Sequence, residues 1–441
     1  MPQPRVIAEL AEERLEPSDK GLPARAAGLT VREFLASGPR LSEFWTPLLV
    51  LDEQALAHNA AVIQEWATSH GFDLMPHGKT TMAPALWQRQ LDAGAAGLTL
   101  ATPWQVRTAR SFGVARIMLA NTLVAPAGLA FIASELADEG FAFSCWADSV
   151  ATVEAMKQAL PDAPLPRPID VLVELGAAGG RTGARSLDEA VGVAQRIAAS
   201  RSLRLAGVAG YEGSLGHDRS PAALAAVRDY LGDLLELRAA VRPLVGDREL
   251  IVTAGGSAYL DVVADVFAPA MAADAAAGLP ASWILRSGAS LLHDDGFYHG
   301  ISPLDAGAGA DARAGAAARS GGATLISAMR GYARVVSHPE PGLALLDGGK
   351  RDFPYDEGLP VPFGRAARLG ADEEPLVGAS VTAVNDQHAF LRSDAALPVS
   401  IGDVVSLGLS HPCTAFDKWR WIPVVEHRGS DRVVDLVRTF F

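Results

Sequence analysis

Cysteine is scarce in this chain. Its 441 residues carry two, Cys145 and Cys413, too few for the disulfide framework of a small secreted fold. No apolar run approaches the roughly 20 residues of a membrane span, and the N-terminus lacks the basic-then-apolar order of a signal peptide. A soluble, cytoplasmic chain with no membrane partner is expected. Positive charge is in deficit: 38 Lys and Arg stand against 51 Asp and Glu, a formal net charge of −13. That balance argues against nucleic acid as a partner, although local dipoles and a few cations can still hold an anionic small molecule. Hydrophobic residues make up 49% and charged residues 20%, so there is material for a large core and no compositional case for global disorder.

Residues 1–45 are charged and lack a clean period, apart from a short helical pattern at 29–35, and read as an N-terminal extension. From Thr46 the pattern is regular. Thr46 to Asp52 reads as a buried strand and Glu53 to about His70 as a helix. Further apolar strands are expected at 97–102, 116–121, 142–148, 170–176, 203–211, 249–257 and 282–289, mostly separated by helical segments. Continuous apolar strands alternating with helices predict a parallel sheet covered on both faces. With the strand that leads to Lys79 the count is nine, one more than an eight-stranded barrel needs, and the first is the natural surplus. A doubly wound open sheet would give a similar pattern. The barrel is preferred because polar and glycine-rich features recur at the C-terminal ends of many strands and converge only if the sheet closes. Residues 304–323, rich in Ala and Gly, read as a flexible loop or linker. Short strands with turn signals then follow, around 343–349, 378–382, 404–407 and 432–437. The expected architecture is therefore α/β: a (β/α)8 TIM-like barrel over 46–303 and a smaller, mostly β, C-terminal domain over 324–441.

Chemistry concentrates in a few stretches. Asp73 to Pro84 (DLMPHGKTTMAP) reads as a short apolar strand that delivers Lys79 to its C-terminal end, just before Pro84 opens a helix. Gly78 suggests close backbone approach. An amine in a partly desolvated mouth can lose its proton and attack a carbonyl, which makes Lys79 a candidate Schiff-base lysine. Gly255, Gly256 and Ser257 follow the strand at Ile251 and Val252: either an ordinary turn, or a loop whose backbone N–H groups and hydroxyl meet an anion. Arg286-Ser287-Gly288-Ala289 offers a second half-cradle. Ser410-His411-Pro412-Cys413 places an imidazole and a thiol on a short segment. They are either a turn histidine beside a buried thiol, or two ligands of a catalytic metal site that leaves positions open for water or substrate.

Pro76-His77-Gly78-Lys79-Thr80 resembles the cofactor-lysine motif of the fold-type III pyridoxal-phosphate enzymes, the alanine-racemase-like barrels. Within them it is most similar to the D-serine dehydratase and D-threonine aldolase group, although Thr81-Met82 stands where that group more often has His-Lys. The resemblance runs from about Thr46 to the C-terminus. It implies that Lys79 holds pyridoxal 5′-phosphate, that His77 lies near the cofactor, and that the two loops, through Gly255, Gly256, Ser257, Gly288 and Ala289, bind its phosphate. Arg181, in the Arg-x-Gly that follows the strand at 170–176, would reach the pyridine nitrogen, where a permanent charge weakens the ring as an electron sink. Tyr211 matches a tyrosine-bearing strand of the family and is otherwise a core aromatic. His411-Pro412-Cys413 resembles the zinc-binding His-x-Cys of the dehydratases, where the aldolases place an aspartate at the second position. His388, in a segment that departs from the family's Glu-His-Gly, is a candidate support for the metal, and the Asp347-Gly348-Gly349-Lys350 turn is read as architectural.

The expected activity is that of a zinc- and pyridoxal-phosphate-dependent D-serine dehydratase-like ammonia-lyase. It would take D-β-hydroxy amino acids to a 2-keto acid and ammonia, with a second copy of the chain as partner in a homodimer. A retro-aldol enzyme of the D-threonine aldolase kind and a cofactor-carrying regulatory barrel are the alternatives.

Overall fold

The computed structural model describes residues 6–160, 165–216, 218–305 and 324–441. Almost all of the Ala/Gly-rich stretch expected to be a loop lies outside them. Strand β1 (Leu48–Asp52) is followed by eight strands that alternate with helices: β2 (Asp73–Leu74), β3 (Leu98–Leu100), β4 (Arg116–Thr122), β5 (Ala142–Ala147), β6 (Ile169–Glu174), β7 (Leu203–Ala209), β8 (Leu250–Ala254) and β9 (Ala281–Leu285). They form an eight-stranded sheet in the order β2-β9-β8-β7-β6-β5-β4-β3, parallel throughout. The open ends meet. Ala96 N donates to Leu74 O at 2.8 Å and Thr99 N to Pro76 O at 2.9 Å, and His77 forms a parallel bridge with Thr99. The sheet is a TIM-like barrel. Met75, Met118, Trp146, Leu172 and Ile284 fill its interior as one cluster, while a second core lies between the strands and the surrounding helices. A packed lumen leaves only the C-terminal rim for a site.

The surplus strand is the first. β1 pairs antiparallel with β10 (Met329–Glu340) and parallel with β17 (Trp421–Val425), so it leaves the barrel and enters the C-terminal sheet. Leu48 to Leu51 are buried, which reads like a barrel strand, because they pack into the core shared with Phe34, Leu56 and the C-terminal domain. That domain is completed by β11 (Leu343–Leu346), β12 (Val361–Ala366), β13 (Glu374–Pro375), β14 (Ser380–Val384), β15 (Ala389–Arg392), β16 (Val404–Gly408) and β18 (Val433–Arg438), in a ten-stranded sheet with β1. Its longest member, β10, was not among the expected strands, nor were β12, β13, β15 and β17. In β17, Pro423 sits opposite Leu436 of β18, a residue that removes a ladder donor and weakens the strand signal.

The N-terminal segment is not a loose extension. Thr30 caps the helix Val31–Ala36 reciprocally with Glu33, Phe34 is fully buried with the β-domain core, and Leu41 N donates to Asp431 O at 2.7 Å. The described residues before Thr46 therefore pack with the C-terminal domain.

Candidate active site

Lys79 is set by the shortest barrel strand. After β2 the chain stays tied to the barrel through Met75 N to Leu285 O at 2.8 Å and His77 N to Arg286 O at 3.2 Å. It then makes a single 3-10 turn, Gly78–Thr80, before Pro84 opens the helix Pro84–Asp92. The turn, rather than the strand, presents Lys79 at the barrel mouth. Gly78 is required there because a Cβ would lie 2.8 Å from Trp87 Nε1, whose N–H donates to Gly78 O at 3.0 Å.

Lys79 lines a cavity of about 660 Å3 together with His77, Arg181, Tyr211, Gly256, Ser257, Gly288, Ala289, His411 and Cys413. The barrel loops and the C-terminal domain thus bring the expected lysine, cofactor and metal-ligand residues to one space, with one exception among them, and His388, the candidate support for the metal, lies outside it. The exception is Gly255. Its N–H, and that of Gly256, are taken by the buried carboxylate of Glu212, so the two amides expected to meet an anion already hold one. The donors left on this wall belong to Ser257, whose Oγ lies 2.7 Å from Ser287 Oγ across the two loops, and to the Gly288–Ala289 segment. A Cβ on Gly288 would come within 2.6 Å of His77 Cβ and 2.7 Å of His77 O: the two backbones approach as closely as a glycine allows.

Two guanidinium groups face the cavity. Arg181 is exposed at the mouth, 4.7 Å above the Tyr211 ring centroid. Arg286 is buried, donating to Thr253 Oγ1 and Gly210 O at 2.6 Å each, and stacks 5.0 Å from the Trp146 centroid. Its Nε has no partner among the described residues. Burial lowers the Arg286 pKa despite the Glu212 charge. Arg181 is not alone: Arg286, expected only as part of a loop, is a second, sequestered guanidinium in the same wall.

The remaining polar atoms are those of a site built for a ligand. Of the residues that line the cavity, His77 Nδ1, Trp146 Nε1 and Glu174 Oε2 are buried without partners among the described residues. Burial, with Lys79, Arg286 and Arg181 nearby, holds the His77 imidazole well below its ordinary pKa, so it is neutral. Burial raises the Glu174 carboxyl pKa against the opposing hydrogen bond from Thr182.

The second half of the site comes from the C-terminal domain. His411 has a left-handed backbone, φ +52°, pinned where Asp294 Oδ2 accepts its N–H at 3.1 Å. Asp294 Oδ1 also accepts from Gly296 N and, at 2.7 Å, from Tyr298 N. One carboxylate of the barrel's last loop thus fixes the turn that carries both candidate metal ligands. His411 Nδ1 lies 2.6 Å from Asp356 Oδ2, an arrangement that orients the ring and leaves its other nitrogen for a ligand. Burial opposes charge on His411, but the Cys413 thiolate and Asp356 prevail and raise its pKa to about 9. Burial also opposes the Cys413 thiolate, yet His411, Thr80 and Lys79 lower the thiol pKa. A soft thiolate beside an oriented imidazole is a donor pair that suits zinc. No group of three or more His, Cys, Asp or Glu is arranged for a metal among the described residues.

His388 is elsewhere. It is exposed in the turn between β14 and β15, where its carbonyl accepts from Asn385 N at 2.8 Å, and it does not line the cavity. That turn packs against Asp347–Lys350 through Lys350 N to Asn385 O at 2.8 Å.

Residues 51–260 match the family model of the alanine racemase N-terminal domain, and residues 328–425 that of the putative serine dehydratase domain. The D-threonine aldolase of Arthrobacter sp is 27% identical over 381 residues, 86% of this chain and 89% of the relative. The 3-hydroxy-D-aspartate aldolase of Paracoccus denitrificans is 25% identical over 332 residues, 74% and 77% of the two chains. The D-threonine aldolase structure from Filomicrobium marinum superposes with a TM-score of 0.72 at 24% identity, covering 91% of this chain and 97% of that one. D-threo-3-hydroxyaspartate dehydratase from Delftia sp. HT23 superposes with a TM-score of 0.67 at 20% identity, covering 91% and 99%. These two superpositions concern the fold. No described helix is long and apolar enough to cross a membrane.

Proposed function

Since the chain belongs to the fold-type III pyridoxal-phosphate enzymes, built from an alanine racemase N-terminal domain and a serine dehydratase-type domain, we propose that it is a zinc-dependent ammonia-lyase. It would act on D-β-hydroxy amino acids and release a 2-keto acid and ammonia. The observation that carries this reading is the meeting of Lys79 with His411 and Cys413 in one cavity.

Pyridoxal 5′-phosphate, when bound, supplies an electrophilic carbonyl that captures the substrate amine and acidifies its α-carbon. The cavity has the size for it and the unpartnered buried polar atoms to meet it. Lys79 Nζ would anchor the cofactor carbonyl and, once displaced by substrate, stand free to take the α-proton. Ser257, Gly288 and Ala289 would hold the phosphate. His77, neutral, adds no charge beside the lysine. Arg286 in the cavity wall and Arg181 at its mouth would supply positive charge toward the bound cofactor.

His411 and Cys413 would hold zinc, which would supply a Lewis acid for the β-hydroxyl. Solved variants of D-threo-3-hydroxyaspartate dehydratase replace a histidine and, two positions on, a cysteine, and the cysteine variant is a metal-free form. The spacing is that of His411 and Cys413. Retro-aldol cleavage is the second reading, favoured by the Arthrobacter D-threonine aldolase, which is similar over most of both chains. The experiment is an absorption spectrum and metal analysis of the purified protein, followed by a screen of D-serine, D-threonine and D-3-hydroxyaspartate for ammonia and for glycine. Absence of a lysine-bound cofactor band after incubation with pyridoxal 5′-phosphate would defeat the proposal.

A further inference from the structure

Glu212 is completely buried at the start of the short 3-10 segment Glu212–Ser214 that follows β7. Its carboxylate grips the neighbouring turn at two points, Oε2 accepting from Gly255 N at 2.9 Å and Oε1 from Gly256 N at 2.8 Å. A buried carboxylate is costly unless its charge is met by such donors, and hydrogen bonds to it are stronger than neutral ones. Here the donors are the backbone of the very loop that leads into Ser257.

The grip is reinforced on both sides. Tyr211 N donates to the Tyr230 hydroxyl at 3.0 Å, and that hydroxyl donates to Leu175 O at 2.7 Å, so the segment carrying Glu212 is tied to the end of β6. Gly255 is left-handed at φ +83° and a Cβ there would meet Leu285 Cδ2 at 2.4 Å; one on Gly256 would meet Tyr211 Cε2 at 2.9 Å. The turn has one shape, and its two foremost amides point at protein rather than at the cavity.

We propose that Glu212 is a positioning residue for the phosphate end of the cofactor. By holding Gly255 and Gly256 it sets Ser257 against Ser287 and the Gly288–Ala289 segment at a fixed spacing, and it withholds two amides that a phosphate would otherwise take. The phosphate is then left to Ser257 and to the loop after β9. The inference rests on the reading of the cavity as a pyridoxal-phosphate site, and it concerns recognition of the phosphate rather than the aldehyde.

The test compares two probes on the cofactor-free protein, pyridoxal 5′-phosphate and pyridoxal, which carry the same aldehyde and differ by the phosphate. Glu212→Gln keeps the shape but turns one oxygen into an N–H donor that faces a backbone N–H. Affinity for the phosphorylated probe should fall about tenfold or more, while affinity for pyridoxal changes less than about twofold, so that the preference between them collapses. Equal losses for both probes would mean that Glu212 only holds the fold, and tighter binding of the phosphorylated probe would mean that its charge opposes the phosphate; either result overturns the proposal. Should the Gln variant fail to fold, Ser257→Ala replaces it: the preference for the phosphorylated probe should fall there too, and an unchanged preference puts the phosphate elsewhere and overturns the proposal. A wild-type protein that links neither probe at Lys79 fails the underlying reading as well, and that failure is visible without any substitution.

Discussion

Thr80 Oγ1 lies 3.3 Å from Cys413 Sγ, so the residue that follows Lys79 is hydrogen-bonded to the thiol of the other domain. Thr80 is among the groups that lower the Cys413 pKa. Thr80→Val keeps the volume and removes the hydroxyl. In metal-stripped protein the midpoint of the pH-dependent alkylation of Cys413 should move to higher pH, with Cys145 silent because it is buried. An unmoved midpoint would show that the contact does not act on the thiol.

Lys79→Ala should abolish the absorbance near ~420 nm expected of a lysine-bound cofactor. Borohydride reduction followed by peptide mapping checks it. A reduced linkage on another lysine of the variant would remove Lys79 from the reaction.

The neutral state of His77 predicts a pH dependence with a definite sign. Its folded pKa lies well below the ordinary 6.5, so as pH falls through 6.5 the unfolded chain takes up a proton that the folded chain refuses, and stability drops until the folded pKa is reached. The slope from this one group is at most about 1.4 kcal/mol per pH unit. Denaturation of cofactor-free wild type and His77→Gln between pH 7.5 and 5.5 should show a shallower acid loss in the variant. Parallel curves would mean that His77 is protonated in the folded cavity.

Gly288→Val forces a side chain into the backbone of His77, which lies 2.7 Å from the position of a Cβ. Overpacking of this kind costs about 1–3 kcal/mol, and the phosphate wall should shift with it. Thermal denaturation and cofactor titration should both register the change. A variant with wild-type affinity and stability would show that the loop yields without consequence.

Much of this was legible in the sequence because it is local. The apolar runs of β3 to β9 are buried on both faces whichever neighbours they find, and the Lys79 and His411–Cys413 segments carry their chemistry within a few residues. What escaped is non-local. β1 has the apolar run of a barrel strand, and only its pairing with β10 and β17 reveals that it belongs to the other sheet. Gly255 and Gly256 have the form of an anion loop, but the anion is Glu212, which lies on another strand's loop. Asp294, Asp356 and the burial of Arg286 are likewise set by contacts between loops distant in the chain. Glu212 did stand beside a singled-out residue, Tyr211, and an acidic residue at a strand's C-terminal end was the available signal. His388 misled because its neighbourhood resembled a family motif, whereas the fold places it on an exposed hairpin turn.

Product analysis with and without chelator tests whether one cavity joins a lysine-bound cofactor to a metal that draws off the β-hydroxyl. Purified protein supplied with pyridoxal 5′-phosphate is incubated with D-serine and D-threonine, and ammonia, 2-keto acid, glycine and aldehyde are measured together. The account predicts ammonia and 2-keto acid, lost on chelation and in Cys413→Ala while the cofactor band persists. Glycine and aldehyde without ammonia, or ammonia released at the full rate from chelated protein, would contradict it.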